Sequence, residues 1–202
     1  MNTLAQRWQS LWQELGKPAP GGLLQALLDA YSEPQRHYHT LQHLEECFAH
    51  FDALRHLAEH PLDVELALWF HDSIYDVHAH DNEARSAAWA GHALRDAGLA
   101  HEVRDRIHAL VMATCHAALP ATRDAQVLTD IDLAILGAEP ARFAEYEAQI
   151  RAEYAHVPQD IYARERRRIL ARFLERVPLF HTPAMQAALA ALARRNLQQA
   201  LQ

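Results

Sequence analysis

The chain has 202 residues, half of them apolar, with 6 Gly, 9 Pro and a formal charge of −7. That length suits one domain with a sizeable core, and the composition excludes disordered and fibrous classes. The negative charge argues against a surface that neutralises nucleic-acid phosphates, so no nucleic-acid partner is expected.

The periodicity is helical nearly throughout. Residues 3–15 put Leu4, Trp8, Leu11, Trp12 and Leu15 on one stripe, which predicts an amphipathic helix ended by Gly16 and the Pro18–Gly22 stretch. A second helix is expected over 23–31, and a long one from about Thr40 to His60, stopped by Pro61. Residues 62–75 are apolar almost all round up to His71-Asp72, which predicts a helix in the centre of the core. Further helices are expected at 81–97, 100–117, 125–136, 140–156, 159–176 and 184–200, with Gly98, Pro120 and Gly137 as stops and Pro140 in a first turn. No stretch alternates with period two. The expected fold is all-α, a helical bundle forming a single domain over 1–202.

Cys47 and Cys115 are too few for a disulfide framework and read as ordinary buried thiols. The start lacks the pattern of a signal peptide and no apolar run is long enough to span a bilayer, so a cytoplasmic location without a membrane partner is expected. Whether the chain forms a homo-oligomer is left open.

Fifteen histidines make position decisive, since His is the commonest transition-metal ligand. His71-Asp72 ends the most apolar helix, where an unpaired charge costs several kcal/mol. Either the helix surfaces there and the pair is solvated, or both groups converge on a metal ion. His39 and His43 share a helical face at i,i+4, a spacing that also arises by accident on surfaces. Asp130 and Asp132 lie in an apolar segment, where Thr129 as N-cap with Asp132 at the third helical position is a competing reading. Arg164, Arg167 and Arg194 are candidate contacts for substrate phosphate, against the alternative of a solvated helix face.

Four segments follow one another along the chain: Tyr38-His39 to His43, Phe70-His71-Asp72, Asp81-Asn82-Glu83 to Ser86, and Asp130-Ile131-Asp132-Leu133-Ala134-Ile135-Leu136-Gly137. Together they resemble the HD superfamily of metal-dependent phosphohydrolases, and one bacterial branch of it in particular. The resemblance covers roughly residues 36–137. It implies His43, His71, Asp72 and Asp132 as metal ligands, with Asp72 and Glu83 as the catalytic residues. Asp130 would be a supporting group around the metal or a cap, and His39 a supporting donor or a substrate contact. Glu83 stands where several dinuclear branches have His, which puts a full second metal site in doubt. It remains a candidate second ligand or a base orienting water, and His116 a candidate second-site ligand. His92 falls off that helical face and reads as surface.

The activity implied is hydrolysis of a small phosphorylated substrate, such as a nucleotide, by metal-activated water. Mixed N and O ligands point to Mn, Fe, Co or Ni, with Mg or Zn as further options. A catalytically silent metal- or nucleotide-binding module and an HD-type di-iron oxygenase are the alternatives, the latter requiring Glu83 and His116 on a second iron.

Overall fold

A computed structural model describes residues 3–202 and is all-helical over them. Ten α-helices follow one another among the described residues: α1 (Leu4–Glu14), α2 (Leu23–Ala30), α3 (Leu41–Leu54), α4 (Pro61–Phe70), α5 (Asn82–Asp96), α6 (His101–Ala113), α7 (Arg123–Asp132), α8 (Pro140–Glu153), α9 (Gln159–Glu175) and α10 (Pro183–Ala200). Short 3-10 turns follow α3 (Arg55–Leu57) and α7 (Leu133–Gly137). None of these helices is long and apolar enough to cross a membrane. The described residues form two compact units, divided between Thr129 and Asp130, inside α7.

In the first unit α4 is the central rod, touching α1, α3, α5 and α6. Its residues Asp63 to Phe70 are all buried, as a sequence apolar on every face requires. Aromatic rings lock α1 and α3 onto it: Trp69 lies 5.1 Å from Trp8 and 4.8 Å from Phe48, centroid to centroid. Two acids ride inside this rod, each matched by an arginine from another helix. Asp63 accepts from Arg106 Nε at 2.6 Å, and Glu65 from Arg7 Nη1 at 3.1 Å. Pairing is what makes such burial tolerable.

α4 is shorter than its apolar run suggests. It stops at Phe70, because the next residues turn: Ser73 N–H donates to the Phe70 carbonyl at 3.0 Å, and His71 is only the C-cap. The long helix expected over 40–60 also ends early, at Leu54, and passes through the 3-10 turn before Pro61. The buried Asp124 carboxylate holds that junction, accepting from the backbone N–H groups of Glu59 (2.6 Å) and His60 (3.2 Å).

α7 starts at Arg123, with the Thr122 hydroxyl accepting the Ala125 N–H at 3.1 Å. Thr129 sits mid-helix and donates to the Ala125 carbonyl at 2.8 Å, so it is not an N-cap. In the second unit α10 packs on α9 and on the 3-10 turn 133–137. Gly137 permits that approach, since a Cβ there would lie 2.6 Å from Leu189 Cβ. Asn196 Nδ2 fastens the turn by donating to the Leu136 and Ala138 carbonyls at 2.9 and 2.8 Å.

Candidate metal centre

His43 lies in the first turn of α3 and His71 caps the end of α4; both are buried. Their Nε2 atoms stand 3.1 Å apart. The neighbouring Asp72 Oδ2 is 3.1 Å from His71 Nε2 and 3.5 Å from His43 Nε2. An adjacent pair on a helix would diverge by about 100°. Here the helix has ended, and the turn after Phe70 lets Asp72 fold back onto His71.

The imidazole of His71 is fixed chemically as well as sterically. Its Nδ1 lies 2.8 Å from the Leu68 carbonyl oxygen, which only accepts, so Nδ1 carries the proton. In the neutral ring Nε2 is then a bare lone pair aimed at His43 and Asp72. Backbone support of this kind is usual behind a metal-binding histidine. Burial disfavours the Asp72 carboxylate; when the imidazoles are protonated, the charges of His71 and His39 and the hydrogen bonds donated by His43 and His71 outweigh it and hold its pKa well below the usual value. Asp72 is therefore an anion at neutral pH.

Asp132 is the last residue of α7, a helix that begins in the first unit. One ligand atom from each of His43, His71, Asp72 and Asp132 lies within 4.8 Å of the other three, a partly buried group able to hold a metal ion. The donor set fits such an ion. With metal–ligand bonds of about 2.1 Å, neighbouring ligands stand about 3.0 Å apart around an octahedral ion and about 3.4 Å around a tetrahedral one. The separations of 3.1, 3.1 and 3.5 Å match those edges.

The surrounding residues explain two of the sequence segments. Asn82 and Ser86, one turn apart on α5, tie down the loop that leaves Asp72. The Asn82 side chain donates to the Asp76 carbonyl at 2.9 Å and accepts its N–H at 3.1 Å; Ser86 Oγ accepts the Ile74 N–H at 3.0 Å. His39 stacks on Tyr75 with centroids 4.1 Å apart and lies 6.0 Å from the His43 ring.

Glu83 opens α5, where its carboxylate accepts a hydrogen bond from the Cys115 thiol. Burial and then this carboxylate push the Cys115 thiol up. Cys115 is exposed rather than buried as expected, and Cys47 is buried. His116, just beyond α6, adopts a left-handed backbone (φ 51°), a conformation uncommon for a residue with a Cβ.

Asp130 is a cap. Its buried carboxylate accepts from His181 N–H (2.8 Å), Thr182 N–H (2.6 Å) and the Thr182 hydroxyl (2.7 Å) at the start of α10. On α9, Arg164 pairs with Glu165 at 3.2 Å in the open, and Arg167 is exposed. Arg194 spends its guanidinium on the Leu174 and Arg176 carbonyls, both at 2.9 Å, at the end of α9.

Two residues of the centre escaped the sequence reading. Arg36 is 4% exposed, and its guanidinium donates to the carbonyls of Asp72 (2.6 Å), Ser73 (3.1 Å) and His39 (3.2 Å) and to Glu33 Oε2 (3.0 Å). Tyr31, also buried, accepts the Asp72 N–H on its hydroxyl at 3.3 Å. These two side chains clamp the backbone that carries the His-Asp pair.

Comparison of the chain with protein-family models, curated proteins and solved structures finds no match.

Proposed function

We propose that this chain is a metal-dependent phosphohydrolase of the HD type, acting on a small phosphorylated substrate such as a nucleotide. The observation that carries the reading is the convergence of two Nε2 atoms and the Asp72 carboxylate within 3.5 Å, with one imidazole locked by Leu68. Asp132 completes the donor set. The order of His, His-Asp and a distant Asp on helices supports the superfamily resemblance.

A divalent ion held there would supply Lewis-acid polarisation of a phosphoryl oxygen and would acidify water near it. The mixed nitrogen and oxygen donors favour Mn, Fe, Co or Ni. The chain's own residues do the positioning. Leu68 aims His71, while Arg36 and Tyr31 hold the Asp72 backbone. His39, beside His43, is suited to donate to a substrate oxygen. Glu83 is the candidate base for the attacking water. Neutralisation by an ion also reconciles an acidic chain with a phosphorylated substrate.

The test is elemental analysis of the purified chain, followed by a screen of small phosphoesters with each candidate metal restored. Metal bound in the wild type and turnover that needs it support the reading; a chain that takes up none of the metals overturns it.

A further inference from the structure

The buried Cys47 lies on α3 one turn beyond His43, with Sγ 3.7 Å from His43 Nε2 and 3.8 Å from Nδ1. His43, Cys47 and His71, all buried, each offer a ligand atom within 4.8 Å of the other two. This second donor set shares both imidazoles with the first but replaces carboxylate oxygen with sulfur.

The two sets differ in the ion they suit. Carboxylates and imidazoles serve intermediate ions, whereas a thiolate selects soft ones such as Zn2+ or Cd2+. At about 2.3 Å from sulfur and 2.1 Å from nitrogen, tetrahedral ligands stand about 3.6 Å apart, close to the 3.7 Å found here.

We propose that His43, Cys47 and His71 form an alternative site for a thiophilic divalent ion, one that excludes a harder ion from the His43, His71, Asp72 and Asp132 set. On ligation the Cys47 S–H bond breaks, a sulfur–metal bond forms, and the proton passes to solvent. No oxidant is needed. The proposal rests on the reading above only in giving the same two histidines to metal binding. Its consequence is a centre that discriminates metals by chemistry: a soft ion moves toward α3 and away from the carboxylates.

The test loads the metal-stripped full chain with Cd2+ alone and follows the thiolate-to-cadmium absorption in the near ultraviolet. The wild type and Cys115→Ser develop the band with one Cd2+ per chain, while Cys47→Ser and Cys47→Ala do not. A band kept in both Cys47 variants, or lost in Cys115→Ser, overturns the proposal. A second measurement needs no variant: one equivalent of Cd2+ should release Mn2+ already bound to the wild type. Development of the band with Mn2+ fully retained overturns the shared-histidine geometry. Mn2+ binding without any cadmium band defeats this inference alone. A cadmium band in a chain that never binds Mn2+ defeats the phosphohydrolase reading and leaves the soft site standing.

Discussion

His71 donates its Nδ1 proton to the Leu68 carbonyl over 2.8 Å, three residues back along α4. That bond draws a helix-end carbonyl into the centre and turns the opposite nitrogen toward His43. It is the physical reason why a histidine at the end of an apolar helix is placed to ligate an ion rather than to act as a solvated cap.

Asp72→Ala should strip most of the metal and leave a folded helical protein. Asp72 contributes the anion between the two imidazoles, and its backbone stays clamped by Arg36 and Tyr31. Loss of a partner behind a ligand costs about 10–100-fold in affinity, and loss of the ligand itself should exceed that. Elemental analysis decides, with circular dichroism as the control for folding; equal metal in mutant and wild type would overturn the assignment.

Arg36→Lys should destabilise the chain by about 2 kcal/mol or more. An ammonium on a flexible stem cannot reproduce the fork that reaches three carbonyls, and buried acceptors are left unsatisfied. Denaturant melts give the number, and metal affinity should fall in parallel because the Asp72 backbone loosens. An unchanged midpoint would mean that Arg36 is a bystander.

Much of this centre is legible in the sequence. His71-Asp72 announces itself as polar residues closing a helix with no polar face, and the resemblance to the HD superfamily implies His43 and Asp132 as its partners. The early end of α4 is not legible, since nothing in Phe70-His71-Asp72 distinguishes a continuing helix from one whose last carbonyl is taken by an imidazole. Arg36 is hidden for a related reason: the two acceptors that tie it to the His-Asp turn are backbone carbonyls 36 and 37 residues away, which leave no mark on composition. The buried acids of α4 interrupt an apolar run, but their partners Arg106 and Arg7 lie 43 and 58 residues off, beyond any local pattern.

Glu83→Gln should cut turnover by roughly 100-fold or more with the metal retained, as removal of a general base does. It should also speed alkylation of Cys115, because the carboxylate that holds this thiol protonated is gone, although the effect of burial remains. Iodoacetamide labelling at pH 8 reads the second effect, with the buried Cys47 as a slow internal reference. Faster labelling with unchanged turnover would confine Glu83 to the thiol.

Glu65→Gln should flatten the pH dependence of the metal-free chain. Burial raises the Glu65 carboxyl from 4.5 to about 7 against the pull of Arg7 and Arg55. The folded state therefore binds the proton more tightly than the unfolded state. The stabilisation is fully present below about pH 4.5 and is lost as pH rises through about 7. At about 1.4 kcal/mol per pH unit the loss approaches roughly 3 kcal/mol over that window. Denaturation in chelator at pH 5, 6, 7 and 8 should show stability falling with pH in the wild type, and a much smaller slope in Glu65→Gln. Equal slopes would remove Glu65 as the source.

Metal reverses that trend. His43 and His71 must be neutral to ligate, so protons compete with the ion below the imidazole value of about 6.5. The stabilisation by metal is the difference between saturated and chelated melts, and it should be largest near pH 7 and shrink toward pH 5 as affinity falls. Over the same interval the chelated chain gains stability as Glu65 takes up its proton, so the two melting curves should converge from both sides. In Glu65→Gln the chelated curve is flatter, and convergence comes mainly from the metal-bound side. Thermal melts of both proteins at half-unit pH steps, with saturating Mn2+ and with chelator, separate the two contributions. If the saturated and chelated curves stay parallel from pH 7 to 5, protons do not compete with the ion and histidines are not its ligands.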